Sequence, residues 1–179
     1  VANYDKNEEL SNSVKKIEIQ DLLERKPIQL NLKLISDNIK GKIVFVSGAA
    51  GSIGSEIVRQ VISFCPKKII ILDSAETPLN SLFLEICESN INNEVVVTRI
   101  ADIKDLDVLE NIFLENIPDV VFHAAAYKHV PMMENNPCQA IFTNVMGTKN
   151  LADLSIKYNV GKFVMISTDK AVNPSSVMG

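Results

Sequence analysis

From residue 41 onward the chain alternates two hydrophobic rhythms. Short continuous runs of aliphatic and β-branched residues occur at 43–47, 69–72, 95–100, 119–123 and 163–167. Between them lie longer stretches with helical spacing at about 55–64, 77–89, 105–115 and 137–158. A strand that reads as an unbroken Val/Ile run is buried on both faces, so the sheet is expected to be parallel and covered by helices on either side. Right-handed crossovers then predict a doubly wound α/β sheet in the order 3-2-1-4-5, with its ligand crevice outside the strands' carboxyl ends. Residues 1–40 read differently. The first sixteen are polar, 17–26 predicts a short helix ended by Pro27, and 28–39 an edge segment with a helical turn. The expected organisation is therefore a lead-in over 1–40 and a sheet domain over 41–179.

The first strand–helix junction is Ser47-Gly48-Ala49-Ala50-Gly51-Ser52-Ile53-Gly54. A strand, a tight glycine turn and a helix N-terminus in that order form a pyrophosphate site, because backbone N–H groups and the positive end of the helix dipole face the ligand. Gly48, Gly51, Ser52, Ile53 and Gly54 are the residues expected to contact it. Asp73 ends the second run, nineteen residues after Gly54, where a carboxylate accepts hydrogen bonds from an adenosine ribose. No Arg or Lys lies in 73–80 to receive a 2′-phosphate, so the expected cofactor is NAD. The G-x-x-G-x-x-G spacing is the pattern of short-chain dehydrogenase/reductase proteins, whose extended branch carries nucleotide sugars. The fold expected is thus the Rossmann-like NAD-binding part of an extended member of that group.

The other strand ends carry the remaining chemistry. Asp102-Ile103 follows strand three; the Asp can accept from an adenine amino group while Ile103 packs on the ring, or it can cap the next helix. After strand four, Ala124, Ala125 and Ala126 allow a cofactor to approach the backbone, and Tyr127-Lys128-His129 clusters a phenol, a cation and an imidazole at the crevice mouth. His123 reads as a core or cofactor-side histidine. Asn144 can bond nearby backbone or be a plain helix-face amide, and Gly147, which costs a helix about 1 kcal/mol relative to Ala, marks a close helix–sheet contact. Ser167-Thr168-Asp169-Lys170 follows strand five, placing an acid and a base side by side for mutual pKa tuning.

Bulk properties change the picture little. At 179 residues with a net charge of −4, the chain has no basic bias toward nucleic acid. The three cysteines lack C-x-x-C spacing and read as buried or incidental thiols, not metal ligands or disulfides; no metal is expected. No apolar run approaches the roughly 18–20 residues needed to span a bilayer. Beginning at Val1 and stopping at Gly179 in mid-motif, the sequence reads as an excerpt of a longer protein.

Four segments together, G-A-A-G-S-I-G-S-E, P-D-V-V-F-H-A-A-A-Y-K-H-V-P-M-M-E-N-N-P, N-V-M-G-T-K-N and V-M-I-S-T-D-K-A-V-N-P, resemble the UDP-N-acetylglucosamine 4,6-dehydratases of bacterial polysaccharide and glycan synthesis. The lead-in D-L-L-E-R-K-P-I-Q-L resembles the membrane-anchored branch, which implies membrane helices upstream, a catalytic domain in the cytoplasm or on the cytoplasmic face of the inner membrane, and a homo-oligomer. The resemblance implies hydride removal from C4 of the sugar to NAD, loss of water across C5–C6, and hydride return to C6. Asp169 would protonate the departing C6 hydroxyl, Lys170 would handle the C5 proton and Thr168 would bond the C4 oxygen. Lys128 and Ser167 would contact the cofactor, and Lys128, His129, Asn173 and Met178 the sugar. Met178 stands where short-chain enzymes normally place a Tyr, so Thr168 and the Asp169 neighbourhood become candidates for deprotonating the C4 hydroxyl. Since the resembling proteins continue into the remaining strands and most of the uridine pocket, this stretch alone is expected to bind cofactor without turnover. A nucleotide-sugar 4-epimerase and a non-catalytic NAD-binding module are the competing readings.

Overall fold

The computed structural model describes residues 30–89 and 93–177. The chain divides into two compact units, Val1–Leu32 and Lys33–Gly179, and the second holds the sheet. In chain order the elements are α1 (Leu32–Ile39), β1 (Ile43–Ser47), α2 (Ser52–Ser63), β2 (Lys68–Asp73), α3 (Glu76–Glu88), β3 (Val96–Ile100), α4 (Leu106–Asn116), β4 (Val120–His123), α5 (Val130–Asn135), α6 (Pro137–Ala140), a π-helical segment (Ile141–Gly147), α7 (Thr148–Lys157) and β5 (Lys162–Met165). The helix predicted over 17–26 lies outside the described residues.

The five strands form one parallel sheet in the order β3-β2-β1-β4-β5, as the continuous apolar runs predicted. Alternation along each strand sends side chains to opposite faces. Val44, Val46, Ile69 and Ile71 meet Val58, Val61, Leu79, Leu82 and Ile86 from α2 and α3 on one face. Phe45, Ile70, Leu72 and Val121 meet Leu109, Ile112, Phe113, Leu151 and Leu154 from α4 and α7 on the other. Each such fully buried side chain contributes roughly 1.5–3 kcal/mol, so the two layers fix both helix pairs on the central sheet.

Local chemistry sets the element ends. The Asp105 carboxylate caps α4 by accepting from the Val108 N–H at 3.2 Å, and Ile117 at φ 47°, followed by Pro118, stops that helix. Asp119 accepts from the Ile43 N–H at 2.8 Å, tying the entry of β4 to the start of β1.

The expected elements change in part: where an edge segment with a helical turn was expected over 28–39, residues 32–39 form the helix α1. The helix predicted over 137–158 is present and runs without a break through α6, the π segment and α7; only its middle, 141–147, takes the wider turn of i→i+5 bonding, which apolar spacing does not register. The run after Tyr127 contains a short helix, α5. Strand β5 ends at Met165, although the Ile166 N–H still donates to the His123 carbonyl at 2.9 Å. Of the two readings of the cysteines, incidental rather than buried fits: Cys65 and Cys138 are exposed and Cys87 is intermediate, all free.

Candidate dinucleotide and sugar site

Gly48 ends β1 with φ at +68°, and a Cβ there would lie 2.5 Å from the Ala125 backbone nitrogen. A Cβ on Gly54 would meet the Gly48 carbonyl oxygen at 1.9 Å. Both positions are thus closed to any side chain by backbone, which is how the start of α2 comes to lie against the β1 turn and the β4 end. Gly51 differs: its Cβ would stand 3.3 Å from the Gly48 oxygen, a contact that a small shift relieves. As N-cap of α2 it offers no side-chain bond, leaving the first-turn N–H groups to a ligand.

The Asp73 carboxylate has a part in this loop that its position in sequence did not reveal. One oxygen accepts from the Ala50 N–H at 3.0 Å, the other from the Ala75 N–H at 2.9 Å. It therefore clamps the glycine turn to the start of α3, and each oxygen keeps a further lone pair for a ribose hydroxyl.

Two cavities flank the glycine turn. The first, about 330 Å³, is walled by Gly48, Ala50, Asp73, Asp102, Ile103 and Thr143 among others. The second, about 450 Å³, is walled by Ser52, Ile53, Gly54, Lys128, Asn144, Ser167, Thr168 and Lys170 among others. Gly51, Ala124, Ala125, Ala126 and Tyr127 belong to both, so the cavities meet along a ridge of small residues at the α2 N-terminus. A dinucleotide fits this layout, with its pyrophosphate at the ridge and one nucleoside on either side.

Asp102 does not cap α4; Asp105 does. Asp102 instead accepts from the Lys104 N–H at 3.0 Å and pairs with the Lys104 ammonium at 3.2 Å. Ile103 lies on the wall of the first cavity, but its side chain is buried in the core. Gly147 packs against it so closely that a Cβ there would be 2.5 Å from the Ile103 side chain, the close contact expected of a helical glycine. Asn150 completes the arrangement, its amide donating to the carbonyls of Ile103 and Lys104 at 3.1 and 3.3 Å. That anchor was not legible beforehand.

A second polar network joins β1, β4 and the π segment. Ser47 Oγ lies 2.8 Å from His123 Nδ1, and His123 Nε2 lies 2.8 Å from Thr148 Oγ1. Thr148 donates its own proton to the Asn144 carbonyl at 2.7 Å, so it must accept from Nε2–H, and Nδ1 accepts from Ser47. The ring is neutral: burial alone pushes the His123 pKa down to about 4. His123 is thus a core histidine that also backs the second cavity. Asn144 bonds the Tyr127 peptide at both its N–H and its carbonyl, choosing the backbone-binding role over a plain surface amide.

The strand-five residues are brought together only in part. Thr168 and Lys170 reach the second cavity. Asp169 does not line it and is 92% exposed in its side chain. The Thr168 hydroxyl, donating to it at 3.0 Å, and then the nearby Lys170 hold its carboxyl below the usual carboxylate range, so in this arrangement Asp169 is ionised rather than poised as an acid. His129 is the exposed N-cap residue of α5 and Asn173 an exposed residue at φ 50°; neither lines the described cavities. Met178 lies outside the described residues. Among the described residues no cluster of His, Cys, Asp or Glu could hold a metal, and no helix is long and apolar enough to cross a membrane.

A family model described as polysaccharide biosynthesis protein matches residues 44–179. The chain belongs to that family. It is 49% identical over 168 residues to the capsular polysaccharide biosynthesis protein CapD of Staphylococcus aureus, covering 94% of this chain and 28% of that one. It is 34% identical over 143 residues to the inverting UDP-N-acetylglucosamine 4,6-dehydratase of Campylobacter jejuni, strain 81-176, covering 78% of this chain and 40% of that one. Among solved structures, the complex of Thermus thermophilus UDP-glucose 4-epimerase with NAD superposes with a TM-score of 0.60 at 28% identity, over 70% of this chain and 37% of that one. The chain thus spans well under half the length of these relatives, and within the polysaccharide biosynthesis family it corresponds to the dinucleotide-binding part of an extended short-chain fold.

Proposed function

We propose that this chain is the cofactor-binding and catalytic-loop part of an NAD-dependent nucleotide-sugar 4,6-dehydratase acting on UDP-N-acetylglucosamine, a lyase of polysaccharide synthesis. The observation that carries the reading is that Thr168 and Lys170 wall the same cavity as the α2 N-terminus and the alanine ridge. A sugar held there faces a hydroxyl and an ammonium beside the reacting end of a dinucleotide. The cofactor is NAD, held by the Gly51 turn, the Asp73 carboxylate and the ridge; when bound it accepts and returns the hydride. Likeness to the Campylobacter dehydratase supports the substrate class.

The chain's own residues divide the proton work. Thr168 bonds the C4 oxygen, and Lys170, once its ammonium has given up a proton to solvent, accepts the C5 proton as the amine. Asp169 supplies a proton to the C6 oxygen as water leaves, which requires its pKa to rise from the lowered state described above. Covering its exposed carboxylate with substrate and further chain would do that through desolvation. A nucleotide-sugar 4-epimerase is the second reading, favoured by the likeness to an epimerase of known structure. It would need the C4 chemistry but no acid at C6.

The test is mass spectrometry of UDP-N-acetylglucosamine incubated in D₂O with the full-length protein. A product lighter by one water with deuterium at C5 supports the dehydratase. Unchanged mass with an inverted C4 centre would move the assignment to the epimerase, and unchanged sugar with retained NAD binding would leave a binding module.

A further inference from the structure

Three polar side chains follow one another at the end of α5, and they divide in what they bond. The amides of Asn135 and Asn136 turn back and donate to the Pro131 and Met132 carbonyls, each four residues earlier, satisfying groups that a helix end leaves open. Glu134 reaches out of the helix. Its Oε1 accepts from the Val177 N–H at 2.8 Å, 43 residues on. A carboxylate in the last turn of a helix faces the negative end of the dipole, so its place there is compensated by this long-range partner.

The two ends of that bond differ in how firmly they are held. Met133, beside Glu134, is buried, and Tyr127, shortly before α5, is fixed by Asn144, so Glu134 stands on the body of the domain. Residues 167–177 are exposed except for Ser176. Among the described residues their other hydrogen bonds stay within the segment: the Lys170 and Ala171 N–H groups bond Thr168, and the Val172 N–H and the Thr168 hydroxyl bond Asp169. Just before it, the Ile166 N–H is held by the His123 carbonyl. The loop is thus pinned at Ile166 and at Val177, and Thr168 and Lys170, which wall the second cavity, lie between the pins. We infer that Glu134 is a positioning residue for Thr168 and Lys170, its carboxylate closing the loop that carries them and so limiting the conformations that loop can take. The inference rests on the dehydratase reading above and adds a residue to it.

The experiment uses the full-length protein and reads amide hydrogen exchange and turnover together. Glu134→Ala removes the acceptor, whereas Glu134→Gln keeps an oxygen that can accept from the Val177 N–H. In the alanine variant the amides of the 167–177 segment should exchange about five- to tenfold faster, the value of one hydrogen bond, while those of the sheet are unchanged. Its kcat for loss of water from UDP-N-acetylglucosamine should fall on the order of tenfold through misplacement of the loop, with NAD affinity within about twofold of the wild type. The glutamine variant should stay within about threefold of the wild type in kcat, since a neutral acceptor replaces a charged one. Unchanged exchange in the alanine variant overturns the inference, as does faster exchange with wild-type kcat, a glutamine variant as slow as the alanine one, or a loss of NAD affinity that matches the loss of kcat. A wild-type protein that does not dehydrate the sugar would instead remove the underlying reading, and the exchange comparison would still decide whether Glu134 holds the loop.

Discussion

Asn144 holds the Tyr127 peptide at both ends, its Oδ1 accepting from the Tyr127 N–H at 2.9 Å and its Nδ2 donating to the Tyr127 carbonyl at 3.0 Å. The segment after β4 has no strand partner there, so this side chain stands in for one and sets the shared wall of the two cavities. Asn144→Ala should cost about 1–3 kcal/mol in denaturant unfolding and weaken NAD several-fold. Asn144→Asp should do worse than a single lost bond, because it turns a carboxylate oxygen toward the Tyr127 carbonyl. Equal, wild-type-like behaviour of both variants in calorimetry and titration would contradict the anchoring role.

The three motif glycines should separate by what blocks them. Gly54→Ala drives a methyl into the Gly48 oxygen and Gly48→Ala drives one into the Ala125 backbone, so both should lose the folded state or most of its stability. Gly51→Ala meets only one contact at 3.3 Å and should keep its circular dichroism and melting temperature to within a few degrees. Its NAD affinity should nonetheless fall at least about tenfold, since the methyl would occupy the approach of the pyrophosphate. A Gly51→Ala protein that binds NAD normally would place the phosphate elsewhere.

His123 makes stability fall with acid. Its folded pKa of about 4 lies below the unfolded value near 6.5, so between these pH values the unfolded chain binds the extra proton. The stabilising contribution is complete above about pH 6.5 and is lost as pH drops toward 4, amounting to roughly 3 kcal/mol over that window. Urea midpoints measured from pH 7 to 4 should show this slope in the wild type and lose most of it in His123→Gln. A slope unchanged by the substitution would assign the titration to other groups.

Asp169 is so exposed that removing its charge should leave folding alone. Asp169→Asn is expected to melt within about 1 °C of the wild type and to bind NAD within about twofold, surface changes being worth little. In the full-length protein it should abolish loss of water from the sugar while exchange or oxidation at C4 persists. Parallel loss of cofactor binding and dehydration would remove the acid role.

How much of this was legible beforehand depends on the range of the interaction. The strand order, the glycine turn and the position of Asp73 followed from short-range pattern, because an unbroken Val/Ile run such as 69–72 is compatible only with a strand covered on both faces. The Ser47–His123 pair was not legible: 76 residues separate the partners, and nothing local marks a serine for one histidine. The π segment was missed for another reason. The buried positions Thr143 and Gly147 keep the spacing of Ala140 and Leu151 across it, while Ile141, Phe142, Val145 and Met146 are exposed, so the wider turn leaves no trace in the hydrophobic pattern. His129 and Asn173 stand outside the described cavities, the first exposed at the N-cap position of α5 without a side-chain capping bond and the second exposed at φ 50°, placements that a short motif does not encode.

The sequence by itself determined the architecture and the phosphate-binding turn, since both arise from the residue-by-residue burial and backbone freedom that side-chain type encodes. Only the tertiary structure decided that Asp73 clamps the Ala50 turn, that His123 is neutral with its proton on Nε2, that Asp169 stands exposed and ionised, and that the Thr143 hydroxyl has no hydrogen-bond partner among the described residues. Each of these is a property of two or more groups brought close by folding. Protonation and hydrogen-bond satisfaction depend on that neighbourhood and on the water it excludes, neither of which is written in the order of the residues.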